Sequence, residues 1–243
     1  MPNTAPLWLF DLDNTLHDAS HAIFPAINAN MNAFIARVLG DGETAADAAI
    51  VNAARLQYWQ RYGATLLGMV KHHQVRPADF LREAHRFDDL PAMIRAERGL
   101  ARLLRRLPGR KILLTNAPHK YSHEVMRHLG LHRYFARHIP IEAMRVHGQL
   151  RPKPSTLMLR KLLARERVAP RCCILVEDTV DTLKAAKKIG LRTVWITRYL
   201  ATHPNLQPRP GHLPRKLTKR PFYVDVKVKS VTQLPDCLHR LGQ

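Results

Sequence analysis

Acidic side chains are scarce in this chain. Asp and Glu number 19 against 39 Lys and Arg, a formal charge of +20. That excess attracts anions, from phosphorylated metabolites to nucleic acid or acidic membranes; the plainer reading is Arg-rich, solvated helix faces. Cysteine is scarcer still, at three residues, two of them adjacent (Cys172, Cys173). So few thiols cannot build a disulfide framework, which points to a reducing, cytoplasmic setting. No apolar run reaches the roughly 18 residues that a membrane span needs. No basic segment followed by an apolar stretch marks the N-terminus as a secretory signal. A glycine-rich phosphate loop is missing too, which removes one route to an ATP site. What remains is a globular mix, 46% hydrophobic and 24% charged over 243 residues. That length suits one domain plus an insert.

Apolar runs that end in polar residues recur along the chain. LWLFDLD (7–13), KILLTNAP (111–118) and CCILVED (172–178) each read as a buried strand with a polar C-terminal tip. RTVWIT (192–197) and the alternating YVDVKV (223–228) read as further strands. Helical patterns separate them at 100–107, 120–129, from RPKPS to about 165, at 180–189 and at 234–241. Strand–helix alternation predicts an α/β fold, a Rossmann-like doubly wound parallel sheet. Between about 18 and 98 only helical patterns occur (21–39, 43–61, 64–74, 77–86), so an all-helical cap interrupts the core after its first strand. The expected division is 1–17 with 99–243 as core and 18–98 as cap. Residues 198–222 carry Pro204, Pro208, Pro210, Pro214 and Pro221 and no acid, and read as a basic, exposed loop within the core.

In such sheets the functional crevice lies at the carboxyl ends of the strands. Asp11 and Asp13, Thr115 and Asn116, and Glu177 and Asp178 fall at those ends. Two carboxylates two residues apart repel unless a cation lies between them. With a divalent metal there, Asp11 would attack phosphorus and Asp13 would handle the proton of the leaving oxygen. The alternative is a turn that caps a helix. Thr115 could hold a phosphate oxygen, or cap the next helix. Lys153, pinned between two prolines, suits a fixed cation that neutralises phosphate and nucleophile; the alternative is an ordinary surface lysine. Asp178 would complete a metal site with Asp11 and Asp13, and all-oxygen ligands favour Mg2+. Asp181 would orient Lys153 and metal-bound water, or merely favour the positive end of its helix.

The segments DLDNT (11–15), LLTNA (113–117), the lysine of RPKPS (151–155) and VEDTVD (176–181), in this order, resemble the four motifs of the haloacid dehalogenase-like hydrolase superfamily. The resemblance spans roughly 7–197, and the helical insert looks like that superfamily's cap. It implies metal-assisted hydrolysis through an aspartyl-phosphate. Asp11 would be nucleophile and metal ligand. Asp13 would be general acid and then base, with its backbone carbonyl on the metal. Thr115 and Lys153 would bind the phosphoryl group, and Asp178 would be the third ligand. The dehalogenase branch lacks an acid at the position of Asp13, so a phosphate ester is the expected substrate. WLFDLDNTLHD, RYGATLLGM, TNAPHKYSHEVM and VEDTVDTLKAAKKIGLRTVW look like the pyrimidine 5'-nucleotidase branch. That implies a nucleoside monophosphate such as UMP or CMP as substrate, with Tyr62, Thr65 and Asn116 as substrate contacts. Two other readings stay open. One is the same chemistry on phosphoglycolate or a sugar phosphate. The other is a basic nucleic-acid-binding protein with a vestigial site.

Overall fold

The computed structural model describes residues 5–200 and 219–242. Most of the basic loop expected at 198–222 therefore lies outside the described residues. The chain divides into two compact units, Met1–Ser20 with Ile94–Gln243, and His21–Met93. Among the described residues no helix is long and apolar enough to cross a membrane.

The first unit opens with β1 (Leu7–Phe10). The second unit follows as α1 (Ile23–Leu39), α2 (Ala48–Tyr62), α3 (Thr65–His73), α4 (Pro77–Ala84) and α5 (Leu90–Met93). The first unit resumes with α6 (Leu100–Arg106), β2 (Arg110–Leu114), α7 (His119–His128) and β3 (Arg137–Ile139). A small hairpin, β4 (Arg145–Val146) and β5 (Gln149–Leu150), leads to α8 (Thr156–Glu166). Then come β6 (Cys173–Glu177), α9 (Val180–Lys188), β7 (Arg192–Ile196) and β8 (Val226–Val228). A 3-10 segment, Val231–Leu241, is opened by a capping box of Ser230 and Gln233.

Six strands form one parallel sheet in the order β3-β2-β1-β6-β7-β8. The chain walks outward from β1 to β3, returns to the other side of β1 and walks outward again. This is the doubly wound Rossmann-like arrangement, and the order reverses beside β1. Strands β1 and β6 are buried at every position, as continuous apolar runs in a sheet covered on both faces should be. Leu9, Ile112, Leu114, Leu175, Leu159 and Leu183 are among the residues that join sheet and helices into one core. Phe10 lies opposite both Leu113 and Val176. One step further therefore brings Asp11 level with Leu114 and Glu177, and the strand tips share an edge.

Several details differ from the sequence expectation, among them the hairpin β4–β5 and the 3-10 form of the segment expected as a helix at 234–241. Strand β3 was not foreseen. It is three residues long, sits at the sheet edge and is only partly buried, so it shows no apolar run. Helix α2 begins at Ala48 rather than near residue 43. Asp41 accepts from the backbone of Glu43 and Thr44 and closes a turn, and Asp47 then caps the helix by accepting from Ile50 N at 2.8 Å. Strand β8 is confined to Val226–Val228, because Asp225 turns its carboxylate onto Thr193 N and the Lys187 ammonium.

Within the second unit, Phe34 of α1 meets Phe80 of α4 edge to face at 5.5 Å. Arg55 of α2 donates to Asn28 and Asn32 of α1. In the first unit, Gly109 carries the chain into β2 with φ +82°, and a Cβ there would stand 2.0 Å from Pro6 O. A Gly109→Ala protein is expected to lose about 1–3 kcal/mol, from positive φ and the clash together. At roughly 2–4 °C per kcal/mol for a chain of this size, calorimetry should find a midpoint lower by several degrees.

Candidate active site

Asp11 follows the last residue of β1, and its backbone N–H still donates to Val176 O at 3.0 Å. The side chain is buried. Its Oδ2 accepts from Thr15 Oγ1 at 3.3 Å, and its Oδ1 accepts from Lys153 Nζ at 2.7 Å. The same ammonium donates to Glu177 Oε2 at 2.7 Å. Lys153 is brought there from 142 residues away in sequence and is only 5% exposed, so the reading as a surface lysine fails. Asn116, at the tip of β2, holds the lysine's backbone from both sides. Its Nδ2 donates to Lys153 O and its Oδ1 accepts from Lys153 N, both at 2.9 Å. The side chain expected to touch substrate thus positions the lysine. Thr115 is buried beside it, and its Oγ1 accepts from Ala117 N at 3.0 Å in the turn before α7.

Asp11, Glu177 and Asp178 each offer a carboxylate oxygen, all within 4.8 Å of one another, and all three residues are buried. Trp195 of β7 fixes this corner by donating Nε1–H to Asp178 O at 3.0 Å, and Thr179 Oγ1 donates to Asp178 Oδ1 at 3.1 Å. Burial and the neighbouring Glu177 push the Asp11 carboxyl up to about 7, although Lys153 pulls the other way. Burial, with Asp178 alongside, likewise pushes Glu177 up to about 7 against the pull of Lys153. Burial draws the Lys153 ammonium down, but Asp11 and Glu177 outweigh it and hold it above the ordinary lysine range. Two buried carboxylates thus share one ammonium, with a third, that of Asp178, beside them. The unbalanced charge, and a donor set made only of oxygen, fit a hard divalent cation such as Mg2+.

Two expected roles shift. Asp181 is exposed in the first turn of α9, and Glu177, not Asp181, is the carboxylate that holds Lys153 beside Asp11. The side chain of Asp13 does not join the acidic triad. Its Oδ1 is engaged by Tyr121 and His17. Any share of Asp13 in a metal site would fall to its backbone carbonyl, as the family resemblance implies. Thr15, Glu177, Tyr121 and His17 were not among the expected site residues. The two acids in succession at the tip of β6 carried a signal for Glu177; a tyrosine in a helix and a histidine after a turn carried none.

In the second unit, Tyr62 ends α2 and its hydroxyl meets His72 Nε2 at 2.6 Å; Thr65 begins α3. The Tyr62 ring has the Arg61 guanidinium at 5.6 Å and the Lys71 ammonium at 5.3 Å.

A parallel sheet with carboxylates and a buried lysine at its carboxyl edge defines a class of Rossmann-like hydrolases. The model of the haloacid dehalogenase-like hydrolases matches residues 7–190, and the chain belongs to that family. Solved structures with the same fold include a HAD phosphatase from Thermococcus onnurineus. It is 17% identical with a TM-score of 0.59, over 96% of this chain and 97% of that one. CbbY from Rhodobacter sphaeroides, in complex with phosphate, is 21% identical with a TM-score of 0.61, over 95% and 96%. The L-2-haloacid dehalogenase of Xanthobacter autotrophicus, with chloropropionic acid covalently bound, is 17% identical with a TM-score of 0.55, over 96% and 98%. Both ester and carbon–halogen chemistry occur among these neighbours' names.

Proposed function

We propose that this hydrolase is a Mg2+-dependent phosphomonoesterase that works through an aspartyl-phosphate. Its proposed substrate is a pyrimidine nucleoside 5'-monophosphate such as UMP or CMP. The observation that carries the reading is Lys153 Nζ, held at 2.7 Å from both Asp11 and Glu177, with Asp13 two residues beyond Asp11. A carboxylate beside a fixed ammonium is a nucleophile matched to an anionic electrophile, because the cation screens two negative groups from each other. An alkoxide leaving group needs a proton, whereas a halide does not. A second aspartate in this place is therefore useful to an ester hydrolase and idle in a dehalogenase.

In this mechanism a carboxylate oxygen of Asp11 forms the new bond to phosphorus as the ester P–O bond breaks. Asp13 protonates the departing oxygen, then takes a proton from the water that hydrolyses the acyl phosphate. Lys153 and Thr115 hold phosphoryl oxygens. Asp11, Asp178 and the Asp13 carbonyl would hold Mg2+, with Glu177 beside them. The bound ion would neutralise charge on the phosphoryl group and on Asp11. The pyrimidine preference rests on the RYGATLLGM segment, where Tyr62 offers a flat ring flanked by two cations. Wild-type protein with Mg2+ should release inorganic phosphate from UMP and CMP faster than from phosphoglycolate or a sugar phosphate. Asp11→Asn should turn over none of them. A flat profile across that panel would leave the esterase and remove the nucleotide preference; an active Asp11→Asn protein would remove the nucleophile.

A further inference from the structure

Tyr121 and His17 converge on the side chain of Asp13. Tyr121 Oη donates to Asp13 Oδ1 at 2.5 Å, and His17 Nε2 lies 2.9 Å from the same oxygen. The two donors are themselves 3.5 Å apart. Neither is a surface contact: Tyr121 is 2% exposed and His17 is fully buried. Their placement follows from the fold. Tyr121 stands in the first turn of α7, directly after the strand tip that carries Thr115 and Asn116. His17 is set by the turn after β1, where it forms a parallel bridge with Asp13 and Leu16 N–H closes onto Leu12 O at 2.8 Å. Asn14 locks that turn through two bonds with Ser20. His17 Nδ1 has no hydrogen-bond partner among the described residues, although it is buried. Through Nε2 the histidine meets the same carboxylate oxygen that the tyrosine holds.

We infer that Tyr121 and His17 are positioning residues for proton transfer by Asp13. They clamp Oδ1 and so assign the transferable proton to Oδ2. In the acid form, the carbonyl-like Oδ1 accepts both hydrogen bonds and Oδ2 carries the proton. As the ester bond breaks, that proton passes from Oδ2 to the leaving oxygen, which keeps the bonding electron pair. The two donors then stabilise the carboxylate left behind. When water attacks the aspartyl-phosphate, Oδ2 takes a proton back. The clamp touches neither substrate nor phosphorus; it sets the angle and the choice of oxygen. Misplacing a catalytic group by a fraction of an ångström is costly because the proton must be aligned as the bond breaks.

This inference rests on the phosphomonoesterase reading, and its signature is dependence on the leaving group. p-Nitrophenolate leaves without a proton; the alkoxide of UMP does not. Tyr121→Phe, which removes one hydroxyl, should cut kcat on UMP about tenfold or more while changing kcat on p-nitrophenyl phosphate less than about threefold. KM should hold for both esters. In an Asp13→Asn background the same substitution should cost almost nothing, because its target is gone. His17→Leu should repeat the selective loss and His17→Gln, which keeps a donor, should restore part of it, so the clamp is tested even if one variant folds poorly. Equal losses on both esters, no loss on UMP, or a tenfold loss that persists in the Asp13→Asn background would overturn the clamp alone. A wild-type protein that turns over neither ester overturns the clamp together with the phosphomonoesterase reading.

Discussion

Lys153→Met should unfold at a temperature lower by about 10 °C at pH 8 and should lose turnover by about a thousandfold. The stability effect has a direct source. Methionine fills similar volume but leaves Asp11 and Glu177 buried without their shared ammonium. Breaking a buried ion pair from one side costs about 3–5 kcal/mol, since the remaining charge is uncompensated. At roughly 2–4 °C per kcal/mol, that is a shift of the size stated. The kinetic effect has a second source. The same ammonium that screens Asp11 would hold a phosphoryl oxygen, and preorganised contacts to developing charge are worth about a hundred- to a thousandfold each. Calorimetry and a phosphate-release assay on one preparation check both. A Lys153→Met protein as stable as wild type at pH 8 would mean that the triad is not the electrostatic unit described. The deficit should shrink at pH 5.5, where Asp11 and Glu177 take up protons.

The second large effect concerns Mg2+ and pH. A carboxyl raised to about 7 in the folded chain, as Asp11 and Glu177 are, destabilises the fold wherever the unfolded chain would already be ionised. Stability of the metal-free protein should therefore fall as pH rises from the ordinary carboxylate range through about 7. A divalent cation competes with those protons and should stabilise most where they are absent. With Mg2+ at about a hundredfold over its Kd, linkage gives about 2.7 kcal/mol, or a midpoint higher by about 5–10 °C at pH 8. At pH 5.5 the gain should be much smaller. Melting curves in EDTA and in Mg2+ at the two pH values test this. Equal midpoints at pH 8 would remove the metal from the triad.

The core of the fold was legible because its strands are buried on both faces. LWLF and CILV have no polar residue to break the run, so neither periodicity nor context was needed to read them. Edge strand β3, as RHI, lacks that signature and becomes a strand only through its pairing with Ile112–Leu114. The site was legible to the extent that it lies at strand tips. Asp11, Thr115 and Asp178 could be placed on one edge from sequence alone. The pairing of Lys153 with Asp11 was legible too, but its second partner was not: Asp181 was expected to orient the lysine, and with β6 and α9 in place it is Glu177 that accepts from the ammonium. Asn116 has a structural part that its position did not announce. An amide at a strand tip reads as a ligand, yet here the loop around Lys153 consumes both ends of it. His17 and Tyr121, 104 residues apart, meet at one oxygen of Asp13, a convergence that no local pattern encodes.

Strand β1 emerges first during synthesis, yet its two neighbours begin at Arg110 and Cys173. At about 5–20 residues per second, LWLF waits roughly 10–30 s on the ribosome before its second partner exists. Through that interval at least one edge of an uncharged, aggregation-prone segment stands unpaired, while the helical insert can already form from local contacts. Its yield in a cell should therefore respond more to chaperone supply and translation speed than its equilibrium stability alone would suggest.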